Sequence, residues 1–136
     1  MIRRELTAEL VNRIANHPEV APHISYTDQP MEWSEVCAKC LVFSDGIGIV
    51  GAFEKLSLDT WQCHFFALPN RRGKQAIEAA QHMVAAARET VPRIVAEVKR
   101  SNKPMMWFAR HLGMKPVECT TDVAGNAVEL FEMRLQ

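Results

Sequence analysis

Leu10, Val11 and Ile14 follow Leu6-Thr7-Ala8-Glu9 at helical spacing, which predicts an amphipathic helix capped by Thr7 and ending near Asn16-His17-Pro18. Pro18, Pro22 and Pro30 then punctuate the chain, so Pro18 to about Trp33 reads as a loop with at most a short helix. Cys40–Phe43 and Ile47–Phe53 read as two strands joined around Ser44-Asp45-Gly46, whose Asp-Gly pair suits a tight hairpin. A third strand, about Thr60–Leu68, follows the turn Leu56–Asp59. Trp61, Cys63, Phe65 and Ala67 share one of its faces and Gln62, His64, Phe66 and Leu68 the other. Both faces are largely apolar, which predicts a central strand covered on both sides.

After Pro69-Asn70-Arg71-Arg72-Gly73, the stripe Ile77, Ala80, Val84 and Ala87 marks a long helix running to about Glu89. A short strand, Arg93–Val98, follows. Strand, loop, helix and strand in this order make a right-handed parallel crossover. A second helix spans about Pro104–Leu112, with Pro104 in its first turn and Gly113 at its C-cap. Lys115–Thr121 and Val128–Leu135 close the chain as a hairpin around Ala124-Gly125-Asn126. The element order of helix, meander, βαβ unit, helix and hairpin predicts an α/β fold built on a mixed sheet.

The 136 residues carry no internal repeat or linker and fit a single domain, 1–136. Sixteen basic residues balance sixteen acidic ones, so the long-range field is weak and nucleic acid is not an expected partner. Met1-Ile2-Arg3-Arg4-Glu5-Leu6 lacks an apolar signal core, and no stretch approaches the roughly 20 apolar residues that span a bilayer. No membrane association is expected, and the expected location is the cytoplasm, or a virion into which a cytosolic product is packaged. Cys37, Cys40, Cys63 and Cys119 are then expected as reduced thiols. Cys37-x-x-Cys40 with Cys63-His64 admits a zinc reading, but adjacent strand residues point to opposite faces. Small buried thiols without metal are the plainer alternative.

The strand-to-helix junction Ala67-Leu68-Pro69-Asn70-Arg71-Arg72-Gly73-Lys74-Gln75-Ala76 is where chemistry concentrates. A helix start leaves backbone N–H groups unpaired and carries partial positive charge, so a glycine-containing entry loop there suits phosphate oxygens. Arg71, Arg72 and Lys74 add full charges, although a solvated basic helix start would look the same. Pro69-x-x-Arg72-Gly73-Lys74 before a long helix resembles the acetyl-CoA signature P-x-x-R-G-x-G of the GNAT N-acetyltransferase superfamily. Asn102 with Phe108-x-x-x-Leu112-Gly113-Met114 is similar to that family's N-x-x-A-x-x-x-Y-x-x-x-G-F segment. The two motifs and the element order match over about residues 40–135, and the opening Asn16-His17-Pro18-Glu19-Val20 is similar to small phage-encoded GNAT-like proteins.

The resemblance implies a GNAT-like fold, with a central splayed, mostly antiparallel sheet flanked by helices, and acetyl-CoA as co-substrate. It implies that the backbone of Arg72, Gly73, Lys74, Gln75 and Ala76 holds the pyrophosphate, with Arg71 beside it. Phe66 and Ala67 would pair with the pantetheine arm, and Asn102 would start the next helix alongside. The early loop, with His17 and His23, and the final hairpin would line the acceptor side. Two positions depart from the pattern. Gln75 replaces the last glycine of the phosphate loop, and Ala109 stands where many relatives carry a tyrosine that protonates the leaving thiolate; the chain's one tyrosine is Tyr26. A thiol of pKa about 8.5 leaves without a strong acid, so the change weakens activity rather than abolishing it.

The implied reaction is direct attack of an amine on the thioester, which needs a base. His64 is the first candidate, because imidazole titrates near neutrality, with Glu54 and Glu97 at the ends of neighbouring strands next. His64 as a hydrogen-bonded core residue is the alternative. Cys63 as an acyl-carrying nucleophile is disfavoured by apolar neighbours that would raise its pKa. Met105-Met106-Trp107-Phe108 reads as core and rim rather than a nucleic-acid platform. The expected function is acetyl-CoA-dependent N-acetylation of an unidentified primary amine. The competing one is a catalytically inactive binding module or phage virion or accessory protein of the same fold. A homodimer is compatible with either.

Overall fold

Alternating apolar residues along the strands give the sheet two buried faces, and each helix covers one of them. The computed structural model describes residues 1–25 and 27–136; Tyr26 lies outside the described residues. Short β1 (Arg3–Arg4) leads into α1 (Glu9–Ala15), α2 (Ala21–Ile24) and α3 (Ser34–Lys39). β2 (Leu41–Ser44), β3 (Ile49–Lys55) and β4 (Trp61–Ala67) form the meander, and α4 (Lys74–Ala87) crosses to β5 (Arg93–Lys99). α5 (Lys103–Leu112) precedes the hairpin of β6 (Lys115–Thr121) and β7 (Ala127–Arg134). The strands form one sheet in the order β1-β2-β3-β4-β5-β7-β6. The pairing is antiparallel except between β4 and β5.

Phe53, Phe65, Ile94 and Phe131 face α4 and α5, where Met83, Ala80, Met106 and Leu112 complete the larger core. Phe53 anchors it, with edge-on ring contacts to Phe43 at 6.0 Å and Phe65 at 5.8 Å. On the opposite face Val50, Ala52 and Phe66 meet Val11 and Ile14 of α1 and Cys37 of α3, with Trp33 against Phe66 at 5.2 Å. This second core includes no residue of β5, β6 or β7 among the described residues. The expectation that β4 is covered on both sides therefore holds for Phe65 and Phe66, while Gln62 is half-buried and His64 exposed.

Several boundaries differ from the periodicity. α1 starts at Glu9, capped by Ala8 with no side-chain bond from Thr7. The chain before it is extended along β2, because Glu5 donates its N–H to Val42 O at 2.8 Å and buries its carboxylate against Ser44 Oγ at 2.6 Å. α3 was not expected. It is six residues long, too short for a periodic signal, and its start is held by Glu32 Oε1 accepting Ser34 N–H at 2.8 Å. β3 begins at Ile49 instead of Ile47 because the Asp45 carboxylate takes the N–H groups of Ile47, Gly48 and Ile49 at 2.8–2.9 Å.

β3 and α4 approach closely at Gly51, where an added Cβ would lie 2.6 Å from Met83 Sδ and 2.8 Å from Phe65 Cε1. Both side chains are buried. Gly51→Ala is expected to lower the unfolding free energy by about 1–3 kcal/mol, read as a shift in denaturant midpoint with an unchanged slope.

Candidate functional site

The parallel join between β4 and β5 is short. Trp61 pairs with Ile94 and Gln62 with Val95, and beyond them the recorded register ends. β4 continues against β3 to Ala67, and β5 continues against β7 to Lys99. The edge Cys63–Ala67 therefore faces the edge Ala96–Lys99 across a notch without cross-strand pairing. Strand edges of this kind pair with an extended, amide-bearing ligand.

The chain leaves the notch through Leu68, a tight 3-10 turn at Pro69–Arg71, and Gly73, the N-cap of α4. Gly73 has φ 81° and ψ −136°, a conformation that disfavours any residue with a Cβ, and its missing Cβ would meet nothing within 4 Å. The first helical bond runs from Ile77 N–H to Gly73 O at 3.1 Å. The N–H groups of Lys74, Gln75 and Ala76 therefore have no intrahelical acceptor and point out of the helix start. Lys74 and Gln75 are exposed beside this cradle, while the side chain of Ala76 turns into the core at 4% exposure.

The two arginines of the loop behave differently. Arg71 turns back and donates from Nη2 to Asp45 Oδ2 at 2.8 Å, and its Nε is buried without a partner. Asp45 thus joins the β2–β3 turn to the loop before α4 through one carboxylate. Its side chain is 5% exposed. Burial pushes the carboxyl up, but the N–H groups of Gly48, Ile49 and Ile47 and the Arg71 guanidinium together hold it below the usual carboxylate range. Gly48 adds to the tie, because Leu68 donates its N–H to Gly48 O at 2.8 Å and Leu68 and Arg71 leave no room for a Cβ there. Arg72 stays at the surface, donating from Nε to Ala67 O at 3.2 Å and from Nη2 to Glu19 O at 2.8 Å. It links the end of β4 to the segment after α1. Sequence reasoning missed Asp45 as a site residue, since its Asp-Gly pair reads as an ordinary hairpin signal and Arg71 lies 26 positions away.

His64 stands on the face of β4 that also carries Phe66 of the second core, opposite Ala52 of β3. By accessible area the residue is exposed. Surrounding protein nevertheless displaces enough water to hold its pKa below the ordinary imidazole value, while Glu54 and Glu97 pull it upward. The structure therefore brings His64, Glu54 of β3 and Glu97 of β5 into one electrostatic neighbourhood, both carboxylates exposed. Asn102 caps α5, its Oδ1 accepting Met105 N–H at 3.2 Å. Phe66 and Ala67 are buried in β4 beside the notch. Ala109 is 1% exposed within the larger core, so no hydroxyl stands at that position.

Cys63 lies in the larger core, where burial pushes its thiol up to about 12, too high for a nucleophile. Cys37 belongs to the core on the other sheet face. Among the described residues no group of three or more His, Cys, Asp or Glu side chains could hold a metal ion. No described helix is long and apolar enough to cross a membrane. On α5, Met106 and Phe108 are buried, and Trp107 is 45% exposed and stacked on His111 at 4.1 Å.

No protein-family model matches the sequence. No curated protein matches it significantly. Solved structures match the fold along the whole chain. A protein from Salmonella typhimurium assigned as an acetyltransferase and solved with its cofactor acetyl-CoA superposes with a TM-score of 0.80 at 14% identity, over 100% of this chain and 94% of its own. An N-acetyltransferase from Staphylococcus aureus Mu50 gives 0.78 at 18% identity, over 100% and 98%. A GNAT superfamily phosphinothricin acetyltransferase from Sinorhizobium meliloti, in complex with acetyl-CoA, gives 0.77 at 10% identity, over 98% and 87%. The mixed sheet with its flanking helices is the GNAT fold.

Proposed function

We propose that this GNAT-fold chain binds acetyl-CoA and transfers the acetyl group to a primary amine by direct attack. The observation that carries the reading is the conjunction, at one end of β4, of an unpaired notch and a glycine-led helix start whose first N–H groups are free. The open strand edges fit the amides of a pantetheine arm, and the cradle fits a pyrophosphate, so this chain's residues suit the co-substrate. The superposition on structures solved with acetyl-CoA adds support.

In this reading the N–H groups of Arg72, Gly73, Lys74, Gln75 and Ala76 hold the pyrophosphate, and Lys74 supplies charge. Arg71 contributes indirectly by anchoring the loop to Asp45. The edge at Phe66 and Ala67 orients the arm so that the thioester carbonyl faces the side of the sheet bearing His64. His64 Nδ1 or Nε2 takes the proton from the ammonium, and Glu54 and Glu97 stabilise the imidazolium. The amine nitrogen then bonds to the carbonyl carbon and the carbon–sulfur bond breaks, and the second proton leaving the nitrogen passes through water to the departing thiolate. With alanine at 109, that last step relies on the low basicity of a thiolate.

Acetyl-CoA at a hundredfold excess over its Kd should stabilise the protein by about 2.7 kcal/mol, visible as a higher melting temperature. Arg72→Glu should remove the shift while the apo protein stays folded, because the new carboxylate stands at the mouth of the cradle. An unchanged melting temperature at millimolar acetyl-CoA would sink the proposal and favour a non-catalytic module, the reading that the buried Ala109 supports.

A further inference from the structure

The sheet consists of two well-paired halves, β1–β4 and β5–β7, that meet at the short register of Trp61 with Ile94 and Gln62 with Val95. The side chain of Arg93 spans that seam. Arg93, the first residue of β5, donates to Thr60 Oγ1 at the entry of β4, from Nη2 at 2.7 Å and from Nε at 3.2 Å. Its Nη1 donates to Glu132 Oε2 on β7 at 2.7 Å. Thr60 is buried at 9% exposure, and its own hydroxyl donates to Asp59 Oδ1 at 3.1 Å. Strand alternation puts residues 60, 62 and 64 of this stretch and residues 93, 95 and 97 of β5 on the same face. The guanidinium thus lies at the closed end of the notch, on the face that carries His64 and Glu97.

The halves share one core on the side of α4 and α5, but between the strands themselves only two register pairs join them, and a pivot at that seam would change the distance between the open edges most at their far ends, Ala67 and Lys99. A planar guanidinium with three donors engaged on both sides resists that motion, whereas a single ammonium has no equivalent rigid fork. We propose that Arg93 is a positioning residue that sets the width of the β4–β5 notch and so the fit of the pantetheine arm; this rests on the acetyl-CoA reading above.

The test compares two ligands by calorimetry on the full chain. CoA enters the notch, whereas ADP carries the pyrophosphate without the arm and reaches the cradle only. In Arg93→Met the affinity for CoA should fall by about tenfold or more, with that for ADP within about twofold of wild type. Arg93→Lys should recover no more than part of the loss. If Arg93→Met does not fold, Thr60→Val removes the same acceptor at nearly constant volume and should reproduce the pattern. Equal loss for both ligands, or no loss for CoA, overturns the role of Arg93. Wild-type protein that binds neither ligand overturns the acetyl-CoA reading itself, and the two failures are therefore distinct.

Discussion

On the proposed mechanism, His64→Ala is expected to lower the rate of acetyl transfer by about 10²–10⁴-fold, the usual loss when a general base is removed, while acetyl-CoA should still raise the melting temperature. Thermal stability of the apo protein should change little, within about 0.5 kcal/mol, because the residue itself is exposed. This pairing of outcomes matters, since a buried histidine would show the reverse. With His64 as the proposed base, the wild-type rate should rise with pH as His64 loses its proton. Water displaced around the ring outweighs the pull of Glu54 and Glu97, so that rise is centred below the ordinary histidine value of about 6.5. Transfer that is unaltered in His64→Ala removes it as the base and shifts the role to Glu54, Glu97 or a water.

Asp45→Ala is the substitution outside the core with the largest expected cost in stability. One carboxylate accepts three backbone N–H groups of the β2–β3 turn and the Arg71 guanidinium, and the variant leaves all four donors short of a partner. Removing one member of a mostly buried ion pair typically costs 3–5 kcal/mol, and with Arg71 27% exposed the expected loss is about 3 kcal/mol. Acetyl-CoA affinity should fall with it, because Arg71 belongs to the turn that leads into Gly73. The pH dependence has a definite sign. The folded pKa of Asp45 is depressed, so its contribution is complete above the unfolded value of about 3.9 and disappears as pH falls through the lower folded value. Urea titrations of wild type and Asp45→Ala should therefore differ most near neutrality and converge in acid. A gap below about 1 kcal/mol at pH 7 would show that the turn is held by other bonds.

Local pattern determined the elements with strong periodicity. The stripe Ile77, Ala80, Val84 and Ala87 on α4, the two-faced run of β4 and the Gly113 C-cap of α5 were legible because each is set by neighbours in sequence. The parallel crossover followed from element order, and the glycine-led start of α4 from the glycine that precedes a helix. Short elements escaped, since α3 and β1 hold too few residues to establish a period and depend on Glu32, Glu5 and Ser44 for their ends. What tertiary structure decided is how side chains far apart in sequence share partners. It turned Arg71 onto Asp45 and Arg72 onto the carbonyls of Ala67 and Glu19, although the two arginines are adjacent and chemically alike. It left His64 exposed on a strand whose pattern reads as covered, although Phe66 and Ala52 on the same face belong to the second core. Periodicity records which face a residue occupies, whereas burial and charge pairing depend on which distant element reaches that face, and no local signal carries that information.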